Sequence, residues 1–201
     1  MLPADAARDS RRLHVTWPVA LLAAALAMMP LAASAFDDER EGIVLGAGAG
    51  LAPVARWSTE FSSEDKFGAA LQFFAGYAWN ERDMIGLEGN AALYHSAHFN
   101  ADSLLDSGDM LTWQGFQGAA WYHYWGQPAR ILFTVVGLGL YDFDRGRGYH
   151  SDPGGAWLLG AGYQFTRHLQ AGVYFAAGRT YDEGPDATHR HLSLLLSHMA
   201  F

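Results

Sequence analysis

The chain has 201 residues, half of them apolar, with no cysteine and a formal net charge of −8. An acidic chain without a basic stripe is a poor partner for nucleic acid, and the missing thiols exclude a disulfide framework and a thiolate metal site. The length suits one domain.

Residues 1–35 read as an export address. Arg8, Arg11 and Arg12 precede an apolar run from Val19 to Leu31, and Ala33-Ser34-Ala35 follows. Basic start, apolar middle and small-x-small end are the pattern of a secretory signal peptide, with Ala33 and Ala35 as the cleavage residues. The run is short for a transmembrane helix, which needs about 20 apolar residues. Cleavage after Ala35 would leave residues 36–201 as one domain. It would remove three Arg and two Asp and take the charge to −9.

No later segment reaches 18 consecutive apolar residues, yet apolar residues recur at period two, the period of a strand. The opening strand alternates Ile43, Leu45, Ala47, Ala49 and Leu51 with Val44, Gly46, Gly48 and Gly50. From Phe67 to Trp79, large apolar residues alternate with Gly68, Ala70, Gln72, Phe74, Gly76 and Ala78. Ile85 to Leu93 sets Ile85, Leu87, Ala91 and Leu93 against Gly86, Glu88, Asn90 and Ala92. The segments around Leu159 and Val173 repeat the pattern. Expected strands are 42–52, 66–79, 84–96, 110–125, 131–142, 155–165, 169–180 and 190–201. Their lengths exceed the 5 to 6 residues usual in soluble sheets and suit tilted membrane strands of roughly 9 to 11.

The links between them alternate. Pro53–Asp65, Ala97–Asp109, Phe143–Gly154 and Tyr181–His189 are long, whereas Asn80–Asp83, Gly126–Arg130 and Thr166–His168 are tight. Asp152-Pro153-Gly154-Gly155 reads as a turn. Aromatics gather before each tight link: Tyr77 and Trp79; Trp121, Tyr122, Tyr124 and Trp125; Tyr163 and Phe165. Together these predict an all-β fold: an eight-stranded antiparallel transmembrane β-barrel, an up-and-down meander with short periplasmic turns and long extracellular loops. Such a barrel must close, because an unpaired amide in hydrocarbon costs several kcal/mol. Inward residues rich in Gly, Ala, Tyr and Gln predict a narrow, largely filled interior.

In the last strand, Ser193, Leu195, Ser197, Met199 and Phe201 share one parity, taken as outward, with Leu192, Leu194, Leu196 and His198 inward. The strand closes on Phe201, an aromatic end. Here, and in Leu158-Leu159-Gly160-Ala161-Gly162-Tyr163-Gln164-Phe165 and Val173-Tyr174-Phe175, the sequence resembles the small eight-stranded OmpA-like and OmpW-like outer-membrane barrels. That resemblance implies a cell outer membrane location and Phe201 as an assembly signal. It implies periplasmic chaperones and the barrel-assembly machinery as partners during biogenesis. Afterwards the partners would be outer-membrane lipids and lipopolysaccharide, with the barrel a monomer.

Among polar residues, Glu88 holds an inward position, and Arg179 on a later strand is its candidate partner in a lumen charge pair. His189 and His191 share a face and are weak metal candidates, read otherwise as histidines of a surface loop. His95 and His98 stand three apart and fall on opposite faces of a strand. His150-Ser151-Asp152 is too contiguous for a catalytic triad, whose members meet in space. The acidic loop residues, Glu60, Glu64, Asp65, Asp102, Asp106, Asp109, Asp142, Asp144, Asp152, Asp182, Glu183 and Asp186, suit divalent-cation bridging to lipopolysaccharide or contact with a basic partner. No cofactor is expected.

Three functions follow. The first is a non-enzymatic surface or envelope role carried by the loops. The second is a narrow channel for small or hydrophobic solutes, of the OmpW-like kind. The third is a lipid A-modifying enzyme. One barrel family deacylates lipid A with a His-x-Ser pair on a late strand; the corresponding stretch here, Tyr174 to Arg179, holds neither residue, which leaves His95 or His123 for an unfamiliar site.

Overall fold

The computed structural model describes residues 40–61, 63–97, 109–126, 130–146, 149–181 and 186–201. Eight strands carry the fold: β1 (Gly42–Ser58), β2 (Ser63–Ala78), β3 (Asp83–Ala97), β4 (Asp109–Tyr124), β5 (Ile131–Gly146), β6 (Asp152–Gln164), β7 (Leu169–Tyr181) and β8 (Ala187–Ala200). Each pairs antiparallel with the next, and β8 returns to β1 through Leu45↔Ala200 to Ser58↔Thr188. Closure leaves no sheet edge, which meets the demand that hydrocarbon places on backbone amides. A two-residue strand, Tyr149–His150, extends the ladder beside the end of β5.

Parity sorts the side chains as the alternation predicts. Leu138 and Leu87 are 75% and 68% exposed on the outer wall, whereas Phe74 and Leu158 are fully enclosed. Outer-facing Tyr77, Trp79, Trp121, Trp125 and Phe165 form the aromatic girdle at the rim of the tight turns. Tyr122 and Tyr124, expected in that girdle, point inward instead. Alternation within Trp121-Tyr122-His123-Tyr124 allows only alternate residues outside.

The lumen is filled by rings. Tyr122 and Phe74 meet edge to face at 5.1 Å, and Phe133 lies within 5.6 to 6.4 Å of Tyr124, Tyr122 and Tyr174. Inward glycines make this room: a Cβ on Gly172 would stand 2.8 Å from the Tyr174 ring and 3.0 Å from that of Phe133.

Three expectations change. The strands run 13 to 17 residues, beyond the hydrocarbon span. Several links read as loops are therefore ladder. The first is only 59–62, because Arg56–Asp65 (3.5 Å) and Lys66–Glu64 (2.7 Å) ion pairs and a Trp57–Glu64 hydrogen bond (2.9 Å) tie the hairpin together. Asp152-Pro153-Gly154-Gly155 opens β6 rather than forming a turn. Pro153 sits at a register shift, as does Pro53 in β1. An imide without N–H interrupts a ladder and is accommodated by a bulge.

The third change is the parity of β8, which is inverted. Ser193, Leu195, Ser197, Met199 and Phe201 face the lumen, and Leu194 and Leu196 face out. Two serine hydroxyls find acceptors inside that lipid does not offer.

Candidate functional site

The polar groups of the lumen lie in layers. At the centre, Glu88 of β3 accepts from Gln72 Nε2 of β2 (2.8 Å) and from the Tyr122 hydroxyl of β4 (2.9 Å). Gln72 Nε2 also donates to that hydroxyl at 2.9 Å, and Ser197 Oγ of β8 donates to Gln72 Oε1. A buried carboxylate needs such donors. Arg179 is not among them. It is exposed on the outer parity of β7, where its partner in register is Thr188, itself exposed. The expected Glu88–Arg179 pair is thus replaced by neutral donors, because odd-numbered residues of β7 point away from the lumen.

Above lie His189 and His191, both buried in the lumen rather than on a surface loop. His191 Nε2 bonds Asn90 Oδ1 (2.9 Å), an atom that only accepts, so Nε2 carries the proton and Nδ1 accepts from the Tyr141 hydroxyl (2.6 Å). Ser193 Oγ donates to the same Asn90 oxygen at 3.0 Å. His189 Nδ1 donates to Gln114 Oε1 (3.3 Å), and its Nε2 accepts from Thr180 Oγ1 (2.8 Å). All four ring nitrogens are engaged, so a metal would have to displace one of these bonds. Among the described residues no group of three His, Asp or Glu side chains is placed to hold an ion.

His191-Leu192-Ser193 is itself a His-x-Ser, in a strand where sequence reading did not look for one. Both side chains are enclosed, and each bonds Asn90.

At the mouth on the side of the tight turns stands Arg40, which the sequence did not single out. It is 1% exposed. Nη1 donates to the Glu81 carbonyl (3.0 Å) and Nη2 to Gln164 Oε1, while the guanidinium lies 3.7 Å over the Tyr124 ring and 5.3 Å from that of Phe201. Phe201 faces inward and packs on His168 at 5.0 Å between ring centres.

On the outer wall at the same rim, Asp83 Oδ1 receives His123 Nδ1 (2.8 Å) and Trp121 Nε1 (3.1 Å). Trp125 stacks edge-on against His123 at 4.5 Å and donates to Thr134 Oγ1 at 3.1 Å. Beside Thr134 begins an apolar groove of about 880 Å³, bounded by Trp125, Leu132, Tyr163, Val173, Leu194 and Leu196 and floored by Ala49, Ala161 and Ala171. His95 is exposed on the outer wall of β3. Ala33, Ala35, His98, Asp102, Asp106, Asp182 and Glu183 lie outside the described residues.

A closed, all-antiparallel eight-stranded barrel, apolar outside and filled with aromatic and polar side chains inside, is the fold of the small outer-membrane barrels. Solved structures of that class superimpose on it. Neisserial surface protein A is 18% identical with a TM-score of 0.55, over 79% of this chain and 96% of that one. Ail, the attachment invasion locus protein of Yersinia pestis, is 16% identical with a TM-score of 0.47, over 79% and 99%. OprG from Pseudomonas aeruginosa is 10% identical with a TM-score of 0.43, over 82% and 99%. At 18% identity the likeness to Neisserial surface protein A is one of fold. No protein-family model matches the chain, and no curated protein matches it in sequence.

Proposed function

We propose that the protein is an outer-membrane barrel with a non-enzymatic surface or envelope role, carried by its extracellular loops and outer wall. The supporting observation is the filled lumen. From Arg40 at the periplasmic mouth through the Glu88 layer to His189, each inward level is occupied by packed rings or hydrogen-bonded side chains. A conducting barrel needs a water-filled or dewettable path along its axis. Function then falls to surfaces that face the membrane and the medium. On this reading residues 1–35 are a cleaved signal, Phe201 takes part in delivery to the assembly machinery, and the barrel works as a monomer among lipopolysaccharide and lipids.

The test compares envelope integrity, read as detergent sensitivity, in cells lacking the protein and complemented cells. A barrel with lumen substitutions such as Tyr141→Phe should restore resistance. One with 98–108 and 182–186 replaced by Gly-Ser linkers should not. Conductance steps in planar bilayers would instead support a channel. A discrete lipid A mass change lost on His95→Ala or His123→Ala would establish an enzyme.

A further inference from the structure

Three arginines of neighbouring strands share the outer wall at the rim away from the tight turns. Arg179 of β7 and Arg190 of β8 are exposed, and Arg56 of β1 is partly so. Arg190 opposes Arg56 directly in the β8–β1 ladder, and Arg179 opposes Thr188, two residues from Arg190. Directly opposed side chains have Cβ atoms about 4.5–5.5 Å apart, and diagonal neighbours are about 7–8 Å apart. The bulge at Pro53 turns Arg56 outward. Before it the even residues Val44 and Gly46 face the lumen; after it Val54 and Arg56 oppose Leu192 and Arg190, on the outer parity of β8. Just beyond the pair, Thr188 Oγ1 donates to the Ser58 carbonyl at 3.2 Å, so the arginines sit on ladder rather than on loop.

Like charges directly opposed on neighbouring strands are destabilising, and an anion shared between them offsets that cost. Within the protein, Asp65 Oδ2 meets Arg56 Nη1 at 3.5 Å, a single contact for a group with five donors. Among the described residues Arg179 and Arg190 make no ion pair. The basic sector is local: across the barrel, Asp142 and Asp144 of β5 hold the outer parity at this rim, in a chain of net charge −8. The height is that of a lipid headgroup. His198 opposes Leu169 beside the Thr166–His168 turn, and Arg190 and Arg179 lie eight and ten residues along their strands from these two. At about 3.4 Å per residue and a tilt of about 40°, they stand roughly 21 and 26 Å from that turn, where an apolar band about 25 Å tall ends. Between turn and arginines the wall is apolar, through Leu51, Val54, Val173, Leu194 and Leu196.

We propose that Arg56, Arg179 and Arg190 hold a phosphate of the lipid A glycolipid, its acyl chains lying along the apolar wall beneath them. The inference rests on the reading that the tight turns face the periplasm, which turns this rim toward the leaflet that carries lipopolysaccharide. Guanidinium matches phosphate oxygens in pairs and is weakly hydrated, so it serves at the edge of hydrocarbon. A phosphate monoester brings about 1.5 to 2 negative charges to the three cations, whereas the diester of a phospholipid brings one. Charge therefore selects the glycolipid over the phospholipid at the same height.

The test is native mass spectrometry of the refolded full chain from detergent micelles holding diphosphoryl lipid A, dephosphorylated lipid A or phosphatidylglycerol. Heat-modifiable gel mobility confirms that each variant is folded. Diphosphoryl lipid A should be retained as one adduct per barrel, and the other two lipids should not. Arg179→Gln and Arg190→Gln, both at exposed positions, should each weaken retention about tenfold, as loss of one charged contact does, and together about a hundredfold. Arg190→Lys keeps the charge without the fork and should fall between. Arg82→Gln, exposed in the turn at the other rim, should change nothing. Equal retention of dephosphorylated lipid A or phosphatidylglycerol, an adduct indifferent to Arg179 and Arg190, or a second copy of the chain in place of lipid would each overturn the proposal. Orientation is checked separately. The chain has no cysteine, so Glu60→Cys, in the loop that follows Arg56, should be the one site labelled by an impermeant maleimide on intact cells. Labelling only after lysis would overturn the orientation and the proposal with it. Surface labelling without an arginine-dependent adduct would overturn the proposal alone.

Discussion

The central layer of the lumen holds a carboxylate, and the layer above it holds two imidazoles. Glu88 can only accept when ionised, so its neighbours must all be donors, and they come from β2 and β4 on either side of its own strand, with β8 joined through Ser197 and Gln72. An imidazole brings its own donor and acceptor. Each histidine therefore bridges: Tyr141–His191–Asn90 joins β5, β8 and β3, and Thr180–His189–Gln114 joins β7, β8 and β4. The lower layer is a local satisfaction of one carboxyl group, and the upper is a brace across the barrel. The difference predicts that substitutions below should be sensitive to donor chemistry, and substitutions above to losing a bridge.

The largest effect is expected at the centre. Glu88→Leu leaves the Tyr122 hydroxyl without its acceptor and removes one of two from Gln72, in surroundings where an unsatisfied group costs about 1–3 kcal/mol. A loss of about 3 kcal/mol is expected from urea unfolding of the barrel in vesicles, followed by tryptophan fluorescence. Glu88→Gln keeps a carbonyl acceptor and should lose less than half of that. Equal losses from both variants would mean that charge, not acceptor geometry, governs the layer.

Next is the brace. His191→Leu strands the Tyr141 hydroxyl but leaves Asn90 its bond from Ser193, so the expected loss is smaller, about 2 kcal/mol. Tyr141→Phe removes only one end of the bridge. If His191 acts as a brace, combining the two substitutions should cost less than the sum of the single losses; strict additivity would count against the bridge.

The alternation of β1, β2, β3, β6 and β7 was open to reading because one face of each is mostly apolar and the other mostly small or polar, whereas β4 was blurred by Gln117 among its outward residues. In β8 that contrast fails. Leu195 and Met199 lie inside, and Leu192, Leu194 and Leu196 lie on the opposite parity. Anchoring the parity on an outward Phe201 inverted the strand, for Phe201 turns in beside Arg40. A signal existed: Ser193 and Ser197 share parity with His189 and His191, and four polar residues on one face belong with the polar lumen rather than with lipid. The Glu88–Arg179 pairing failed for a simpler reason. Arg179 shares its parity with Val173, Phe175 and Ala177, the lipid-facing set. Glu88 itself was correctly placed inward, but its partners, an amide and a phenol, look like ordinary filling until the register brings them to one height. Arg40 left no trace in sequence, being a single basic residue before the first strand.

Arg40 offers a third kind of polar solution, a cation closing the mouth, and Arg40→Ala ranks below the two layers. It removes two side-chain hydrogen bonds and the stacking on Tyr124, yet it lies at the rim, where water can replace part of what is lost. About 1 kcal/mol is expected, together with faster hydrogen exchange at Tyr124 and Gln164 and none at the histidine layer. Exchange that spread to β8 amides around His191 would show that the mouth and the brace are one cooperative unit.

The smallest effect sharpens the comparison most directly. If the central layer is complete with Gln72, Tyr122 and Ser197, then Arg179, exposed on the opposite face of the wall, contributes nothing to it. Arg179→Ala should change unfolding by less than about 0.5 kcal/mol, as surface substitutions generally do. Combining it with Glu88→Gln should be additive, because the two side chains lie on opposite sides of the sheet and share no partner. A coupling above about 0.5 kcal/mol in that cycle would mean that the two side chains sense each other through the barrel wall, and that the neutral donors around Glu88 do not fully satisfy it.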